Sequence, residues 1–383
     1  MDIRQIKKIV QTTSAYLAAR RHKRWKLNTK QFGWQRERAC NLLEEKIKKH
    51  HYKIKPSLCF IAFLPVKREI FAGDFSDRII HHYLFQKLNP NYDRQLIADC
   101  YSCRLQKGTS YGIKRTTHFM QAVSHNYTRK AYVLKLDIKG YFMNIDRHLL
   151  YQQNKRLLAN LYPHNCSKIN EILYLLKLVI FNDPTVGCRL RGRKSNWQGL
   201  PKNKSLFFSS PGKGLPIGNL TSQLFGNIYL NAFDHFIKRK LKCHYYGRYV
   251  DDMIFFHHDR EYLKKLIPQI SQYLKDKLGL ELHEKKIYLQ EISYGVKFLG
   301  AVIKPNHIHA GPRLIKNFHR CLVKASKNQA NIQQINSYLG LLKQFHSFNL
   351  RKKYFQSYIG QAALKALQVE VNADYSKVSP CVK

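Results

Sequence analysis

Two adjacent carboxylates, Asp251 and Asp252, interrupt an apolar run in the stretch "YGRYVDDMIFFHH" (246–258). Tyr245, Tyr246, Tyr249 and Val250 precede them, and Met253, Ile254, Phe255 and Phe256 follow. Both flanks favour strands, so the polar break predicts a tight hairpin with the acids at its apex. A solvated Asp-Asp turn has the same pattern, so the hairpin alone decides nothing. A second apolar run, "YVLKLDI" (132–138), also delivers an acid, Asp137. If the hairpin lies beside that strand, Asp137 and Asp251 converge, with Asp252 close by. Like charges gathered in an apolar setting need a cation. Oxygen-only ligands favour Mg²⁺, or Mn²⁺, over zinc. Two such ions clamp the attacking and leaving oxygens of an in-line phosphoryl transfer. The chemistry expected is nucleotidyl transfer.

The charge balance points to the same substrates. Sixty-seven Lys and Arg against 24 Asp and Glu leave a net +43, spread from Lys7 to Lys383. Such a chain repels itself unless a polyanion is bound; nucleic acid is the first candidate and an anionic membrane the second. Membrane binding is not expected, because no strongly amphipathic lipid-binding helix stands out. The longest apolar run, Ile172–Phe181, contains Lys177 and predicts a buried helix rather than a span. The N-terminus "MDIRQIKKIVQ" lacks the apolar core of a signal peptide, and nine cysteines are an odd number. Reduced thiols and a cytoplasmic location are therefore expected. Cys100 and Cys103 have C-x-x-C spacing, but without a second pair they read as ordinary thiols.

The chain's 383 residues predict two or three packed lobes. Basic helices come first, with Ile3, Ile6, Ile9 and Val10 on one face and Leu42, Leu43 and Ile47 marking another. Between them, in "AARRHKRWK" (18–26), Arg20, Arg21, Lys23, Arg24 and Lys26 surround Trp25. That cluster is either a solvated face or a phosphate-contacting surface. "LCFIAFLPV" (58–66) predicts a strand stopped by Pro65. Gly and Pro make 182–214 an extended loop, followed by a helix over 220–241. Next come the Asp-Asp hairpin, a helix near 261–278, a further hairpin through "IYLQEISYGVKFLGAVI", and helices from about 313. This order predicts an α+β core with a helical C-terminal lobe.

Four motifs then carry a resemblance. "YVDD" (249–252) resembles the signature of reverse transcriptases, "DIKGYF" (137–142) their first palm motif and "GLPIGNLTSQ" (214–223) their second. "FLG" (298–300) resembles their primer-gripping strand, and the order agrees from "PVKREI" (65–70) onward. The resemblance implies a right-hand polymerase fold. N-terminal helices and fingers would occupy 1–130. The palm would span 131–304, with an insertion near 150–214, and a helical thumb 305–383. Within the superfamily the chain is most similar to the enzymes of diversity-generating retroelements. That likeness rests on "LPIGNLTSQLFGNIYLN" (215–231), "KSLF" (204–207), "FSDRIIHH" (75–82) and "NSYLGLL" (336–342). Many other reverse transcriptases have Gln-Gly at Ile217–Gly218 and Ser-Pro at Ser222–Gln223.

This branch implies a bacterial or phage-encoded enzyme copying a template-repeat RNA with errors opposite adenines, for targeted gene diversification. It implies a DNA or RNA primer, dNTPs, and a small basic oligomeric accessory protein as partner. Other readings are a retron or defence-associated reverse transcriptase, an idle nucleic-acid-binding protein of the same fold, and RNA-dependent RNA synthesis. The chain ends soon after its helical lobe, so no endonuclease or RNase H domain is expected.

Roles follow from the same resemblance. Asp137 and Asp251 would ligate two Mg²⁺ ions, Asp252 assisting and the Ile138 carbonyl completing one shell. Phe142 would exclude a 2′-hydroxyl by collision, the alternative being an ordinary core residue. Gly214, Gly218 and Asn219 would bring backbone close to the nascent base pair. Ile217 would place an apolar contact on the incoming nucleotide and weaken discrimination. Lys67, Arg68 and Arg104 are candidates for the triphosphate, or else solvated surface bases. Lys286, with Lys285 beside it, resembles the residue that protonates pyrophosphate. Phe298, Leu299 and Gly300 would grip the primer, the alternative for Leu299 being an ordinary core residue.

Overall fold

A computed structural model describes residues 3–63, 66–161 and 166–381. Pro65 and the side chains of Ile3, Ile6, Ile9 and Val10 lie outside what is described. Three helices open the chain: α1 (Ile3–Arg20), α2 (Leu27–Trp34) and α3 (Arg36–Lys48). Strands β1 (Leu58–Ala62) and β2 (Arg68–Ala72) follow, then α4 (Phe75–Gln95), α5 (Thr109–Val123) and β3 (Tyr132–Asp137). The short α6 (Tyr141–Asn144) precedes α7 (Arg147–Leu161), α8 (Cys166–Phe181) and β4 (Arg189–Leu190). Next are α9 (Leu220–Tyr229), α10 (Asn231–His235), β5 (Tyr245–Tyr249), β6 (Asp252–His257) and α11 (Arg260–Leu278). Four short strands come after them: β7 (Tyr288–Glu291), β8 (Val296–Phe298), β9 (Ala301–Lys304) and β10 (His307–Ala310). The chain closes with α12 (Pro312–Ala325), α13 (Ile332–Leu342), α14 (Phe348–Gln356), α15 (Tyr358–Leu367), β11 (Val369–Val371) and β12 (Val378–Pro380). The architecture is α+β: helices with mostly antiparallel sheets, the four-stranded one ordered β5-β6-β3-β7.

The chain forms two compact units, and β3 and β6 each run from one into the other. The first comprises Met1–Arg104, Leu136–Met253 and Lys264–Ile287. Its β1–β2 hairpin pairs Leu58 with Ala72 and Ala62 with Arg68, and β4 adds to β1 in parallel. Helix α4 starts at Asp74, whose carboxylate accepts the Ser76 N–H at 3.0 Å, an N-cap that satisfies one orphan donor. Its buried Ile79, Ile80, Leu84 and Leu88 recur at helical spacing, which is why it packs into the core. The expected loop over 182–214 holds only β4 and short 3₁₀ turns. Its anchor is Glu69 on β2, which is buried. The Glu69 carboxylate accepts from Trp197 Nε1 (2.8 Å), Ser205 Oγ (2.8 Å) and the Leu206 N–H (2.7 Å).

The second unit comprises Leu105–Lys135, Ile254–Leu263 and Tyr288–Lys383. Strands β8, β9 and β10 form an antiparallel meander. Helices α12–α15 pack Phe318, Leu322, Ile335, Leu339 and Phe355 into one core. The helices expected from about 313 are α12–α15, and a short hairpin that the sequence did not announce follows them, β11 and β12 pairing Val369 with Pro380 and Val371 with Val378. Asn336 fixes that hairpin: its amide donates to the Val378 carbonyl (2.9 Å) and its Oδ1 accepts the Val378 N–H (2.8 Å). Three-residue strands are too short to show alternation in a sequence. No helix among the described residues is long and apolar enough to cross a membrane.

Candidate active site

The acids at 251–252 do sit at a hairpin apex: β5 ends at Tyr249 and β6 begins at Asp252. Val250 takes φ +56°, a left-handed conformation that a β-branched residue adopts only under constraint. Two bonds supply the constraint. Arg248 Nη1 donates to the Val250 carbonyl (2.8 Å), and the Val250 N–H donates to Ser102 Oγ (3.2 Å).

Arg248 is itself fully buried. Its Nε and Nη2 grip the equally buried Asp234 carboxylate at 2.8 and 2.6 Å, and Tyr246 Oη donates to Asp234 Oδ1 at 2.7 Å. The Arg248 backbone is held too, donating to the Asp99 carbonyl and accepting from the Tyr101 N–H, both at 2.9 Å. A bidentate guanidinium–carboxylate pair keeps a planar geometry that a lysine could not reproduce. Arg248, Asp234 and Ser102 therefore position the turn that carries Asp251. The sequence reading missed them. The available signal was a charge inside each of two apolar stretches, "YYGRYV" and "NAFDHF".

Asp137 is the last residue of β3, and its carbonyl accepts the His283 N–H at 2.8 Å. Lys139 donates to the Glu281 carbonyl at 2.9 Å, and Ile138 bridges Leu282 between these two bonds. In that non-hydrogen-bonded position the Ile138 N–H and C=O turn away from the 281–283 segment. Burial first, then the neighbouring Asp137 and Asp252 carboxylates, push the Asp251 carboxyl up to about 7. Asp137 and Asp251 are thus near enough to repel each other. Lys286, expected at the leaving group, pairs here with the Asp137 carboxylate, its Nζ 2.7 Å from Oδ1. Lys285 beside it is exposed.

Among the described residues, no three His, Cys, Asp or Glu side chains enclose a metal position. That arrangement still suits Mg²⁺, which is held by one or two carboxylates and completes its octahedron with water and substrate phosphate. Asp137 and Asp251 offer hard oxygen donors whose repulsion a divalent cation would relieve.

A second cluster forms around Phe142. The Leu215 N–H donates to the Phe142 carbonyl (2.7 Å), the Gly214 N–H to that of Ile145 (2.8 Å), and Arg147 Nε to that of Gly214 (2.8 Å). These bonds lay "GLPIGN" against α6. Phe142 and Ile217 both pack, half-buried, on Cys59, Phe71, Met143 and Leu206. Gly218 has φ +126°, and a Cβ there would stand 2.7 Å from the Phe71 carbonyl oxygen, so only glycine fits. The Ile217 carbonyl accepts the Phe71 N–H at 2.8 Å, which completes the docking onto β2.

The candidate triphosphate bases separate. Arg68 is exposed; burial, then Cys103, push the Tyr249 hydroxyl up, and Arg68 opposes them. Lys67 donates to the Gln198 carbonyl at 2.6 Å. Arg104 is corrected. It binds Asp93 through Nε (2.5 Å) and Nη2 (3.2 Å) and spends Nη1 on the Ile97 carbonyl (2.7 Å), with its side chain 7% exposed. That guanidinium is structural. The primer-grip candidates lie in the second unit, where Leu299 (φ 50°) and Gly300 (φ 82°) form the two-residue β8–β9 turn. The Gly311 N–H donates to the Gly300 carbonyl at 2.7 Å. Phe298 is buried, whereas Leu299 is half-buried and Gly300 exposed.

No curated protein sequence matches the chain. Solved structures of telomerase align with it at low similarity. One, from Candida albicans with a TWJ fragment of telomeric RNA, has a TM-score of 0.42 and 12% identity, over 86% of this chain and 63% of that one. Another, the apo enzyme from Candida tropicalis truncated from its C-terminal domain, gives 0.45 and 16%, over 72% and 60%. The chain therefore spans about 60% of those proteins' length. Residues 74–303, well over half of the sequence, match the family described as reverse transcriptase (RNA-dependent DNA polymerase). The chain belongs to the reverse transcriptase family.

Proposed function

We propose that this chain is an RNA-directed DNA polymerase of the diversity-generating-retroelement branch. The observation that carries the polymerase reading is the approach of Asp137 and Asp251, with Asp251 pushed up to about 7 by burial and its acidic neighbours. Asp137, Asp251 and the Ile138 carbonyl would hold two Mg²⁺ ions, which supply Lewis-acid stabilisation of the attacking and leaving oxygens. The Arg248–Asp234 pair holds the Asp251 turn ready for that geometry, so little reorganisation is needed on binding. Lys286 keeps Asp137 charge-balanced until the ions and dNTP arrive. Phe142 and Ile217, which pack on the same apolar cluster, would form the floor under the incoming sugar and base. An aromatic there rejects ribose by collision, and an aliphatic contact does not report base-pairing geometry.

The branch assignment rests on the "GLPIGNLTSQ" loop and "FSDRIIHH", with a template-repeat RNA as substrate and a small basic protein as partner. The test is sequencing of cDNA made on a defined RNA, with and without that protein. Misincorporation concentrated opposite adenines is expected. Errors spread evenly over the four bases would overturn the branch assignment and leave the polymerase standing; absence of cDNA would overturn both.

A further inference from the structure

Two of the chain's three tryptophans, Trp25 and Trp34, are 86% and 78% exposed, and Leu27 between them is 68% exposed. Every residue from Arg21 to Asn28 is exposed. The indoles nonetheless stand on an ordered frame. On the opposite side of α2, Thr29 is buried, and Phe32 packs on Tyr16 (5.7 Å between rings) and Phe75 (5.3 Å). Trp34 ends the helix and Trp25 lies in the turn just before it, so the two indoles flank α2. Lys30 Nζ lies 4.9 Å over the Trp25 ring.

Cations crowd the same corner. Arg20, Arg21, Lys23, Arg24, Lys26 and Lys30 face a single acid in 20–38, Glu37, which already pairs with Arg36 at 3.4 Å. Arg78 on α4 joins them. Burial, then Arg78 and Lys26, lower the Lys23 ammonium, and burial, then Lys23 and Arg78, lower His82. A surface that holds like charges together with exposed indoles is complementary to a polyanion with flat aromatic units.

We infer that the α1–α2 corner is a second nucleic-acid site, separate from the polymerase residues, which takes single-stranded RNA by stacking bases on Trp25 and Trp34. Stacking needs unpaired bases, so a duplex could use only the phosphate contacts. A membrane surface fits less well, because Lys30 and Gln31 interrupt the outward stripe between Leu27 and Trp34. The choice of RNA over DNA rests on the RNA-copying function; the stacking surface itself does not.

The test uses the full chain in the presence of a saturating short primer–template hairpin, which occupies the polymerase site. Labelled single-stranded RNA, DNA of the same sequence, duplex RNA and anionic phospholipid vesicles are titrated against wild type and Trp25→Ala/Trp34→Ala. The wild type should bind the RNA strand with quenching of tryptophan emission. The double variant should bind it at least tenfold more weakly, as expected for two lost stacks. Duplex binding should change less than threefold, and extension of the hairpin should be unaltered. Unchanged RNA affinity in the variant, a loss confined to DNA, or a loss confined to vesicles would each overturn the inference. Because hairpin extension is measured in the same protein, loss of the stacking site and failure of the polymerase assignment give different results.

Discussion

At Asp251, the chemistry and the stability of the fold pull in opposite directions. Its raised pKa means that the folded chain disfavours the charge there, so removing it relieves strain. An Asp251→Asn variant in metal-free buffer at pH 8 should be as stable as wild type or more so, by urea midpoint. A lower midpoint would show that the carboxylate is instead a stabilising acceptor. Phe142 makes a separate prediction. Its ring lies against Gly226, where an added Cβ would meet Cε1 at 3.3 Å, and on the proposed role that backing would keep the ring from retreating before a ribose. Phe142→Val should therefore raise incorporation of rNTPs relative to dNTPs by about tenfold or more, the range that one steric contact provides. Single-nucleotide extension with matched rNTP and dNTP measures it.

The hairpin β5–β6 and its support form the next scale. Truncating Arg248 alone leaves the buried Asp234 with the Tyr246 hydroxyl but no counter-ion, which costs about 3–5 kcal/mol. Replacing both, as Arg248→Met with Asp234→Leu, should restore most of the denaturation midpoint yet leave extension at least tenfold slow, because Val250 has lost its anchor. Full recovery of both would reduce the pair to packing. Helices α4 and α9 carry a pH dependence. His81 Nδ1 lies 2.8 Å from Thr221 Oγ1, and burial, then His82 and Arg78, depress its pKa to about 4. An unfolded histidine titrates near 6.5, so the unfolded chain takes the proton first. Stability from this group is full above that pH and falls as acid is added toward 4. Between pH 7 and 5 the loss is about 2 kcal/mol, and His81→Asn should lack it in urea titrations at the two pH values.

Over the whole molecule the net charge of +43 governs affinity. Nucleic-acid binding should weaken about a thousandfold between 50 and 200 mM salt if six or more phosphates are contacted. A shallow dependence by fluorescence anisotropy would mean that the charge serves another purpose. The readable parts of the fold were those where a polar residue broke an apolar run: Asp137 at the end of β3 and the acids at the β5–β6 turn. Glycines with one permitted backbone, such as Gly218, were readable for the same reason. What escaped is tertiary. Arg248 and Asp234 meet through burial across 14 positions, and nothing local marks the pairing. Arg104 looked like a free base because a paired arginine and an available one are identical in sequence. Glu69 gave no sign that it holds the 194–208 loop, and β11–β12 was too short for its period to emerge.

The central claim is that Asp137 and Asp251 act together on divalent ions. Extension of a primed RNA template in Mg²⁺, compared among wild type, Asp137→Ala, Asp251→Ala and the double variant, tests it most directly. Each single change should abolish DNA synthesis by about a thousandfold or more, and the double change should add little, as for groups that act as one unit. DNA synthesis within tenfold of wild type in either single variant would contradict the account.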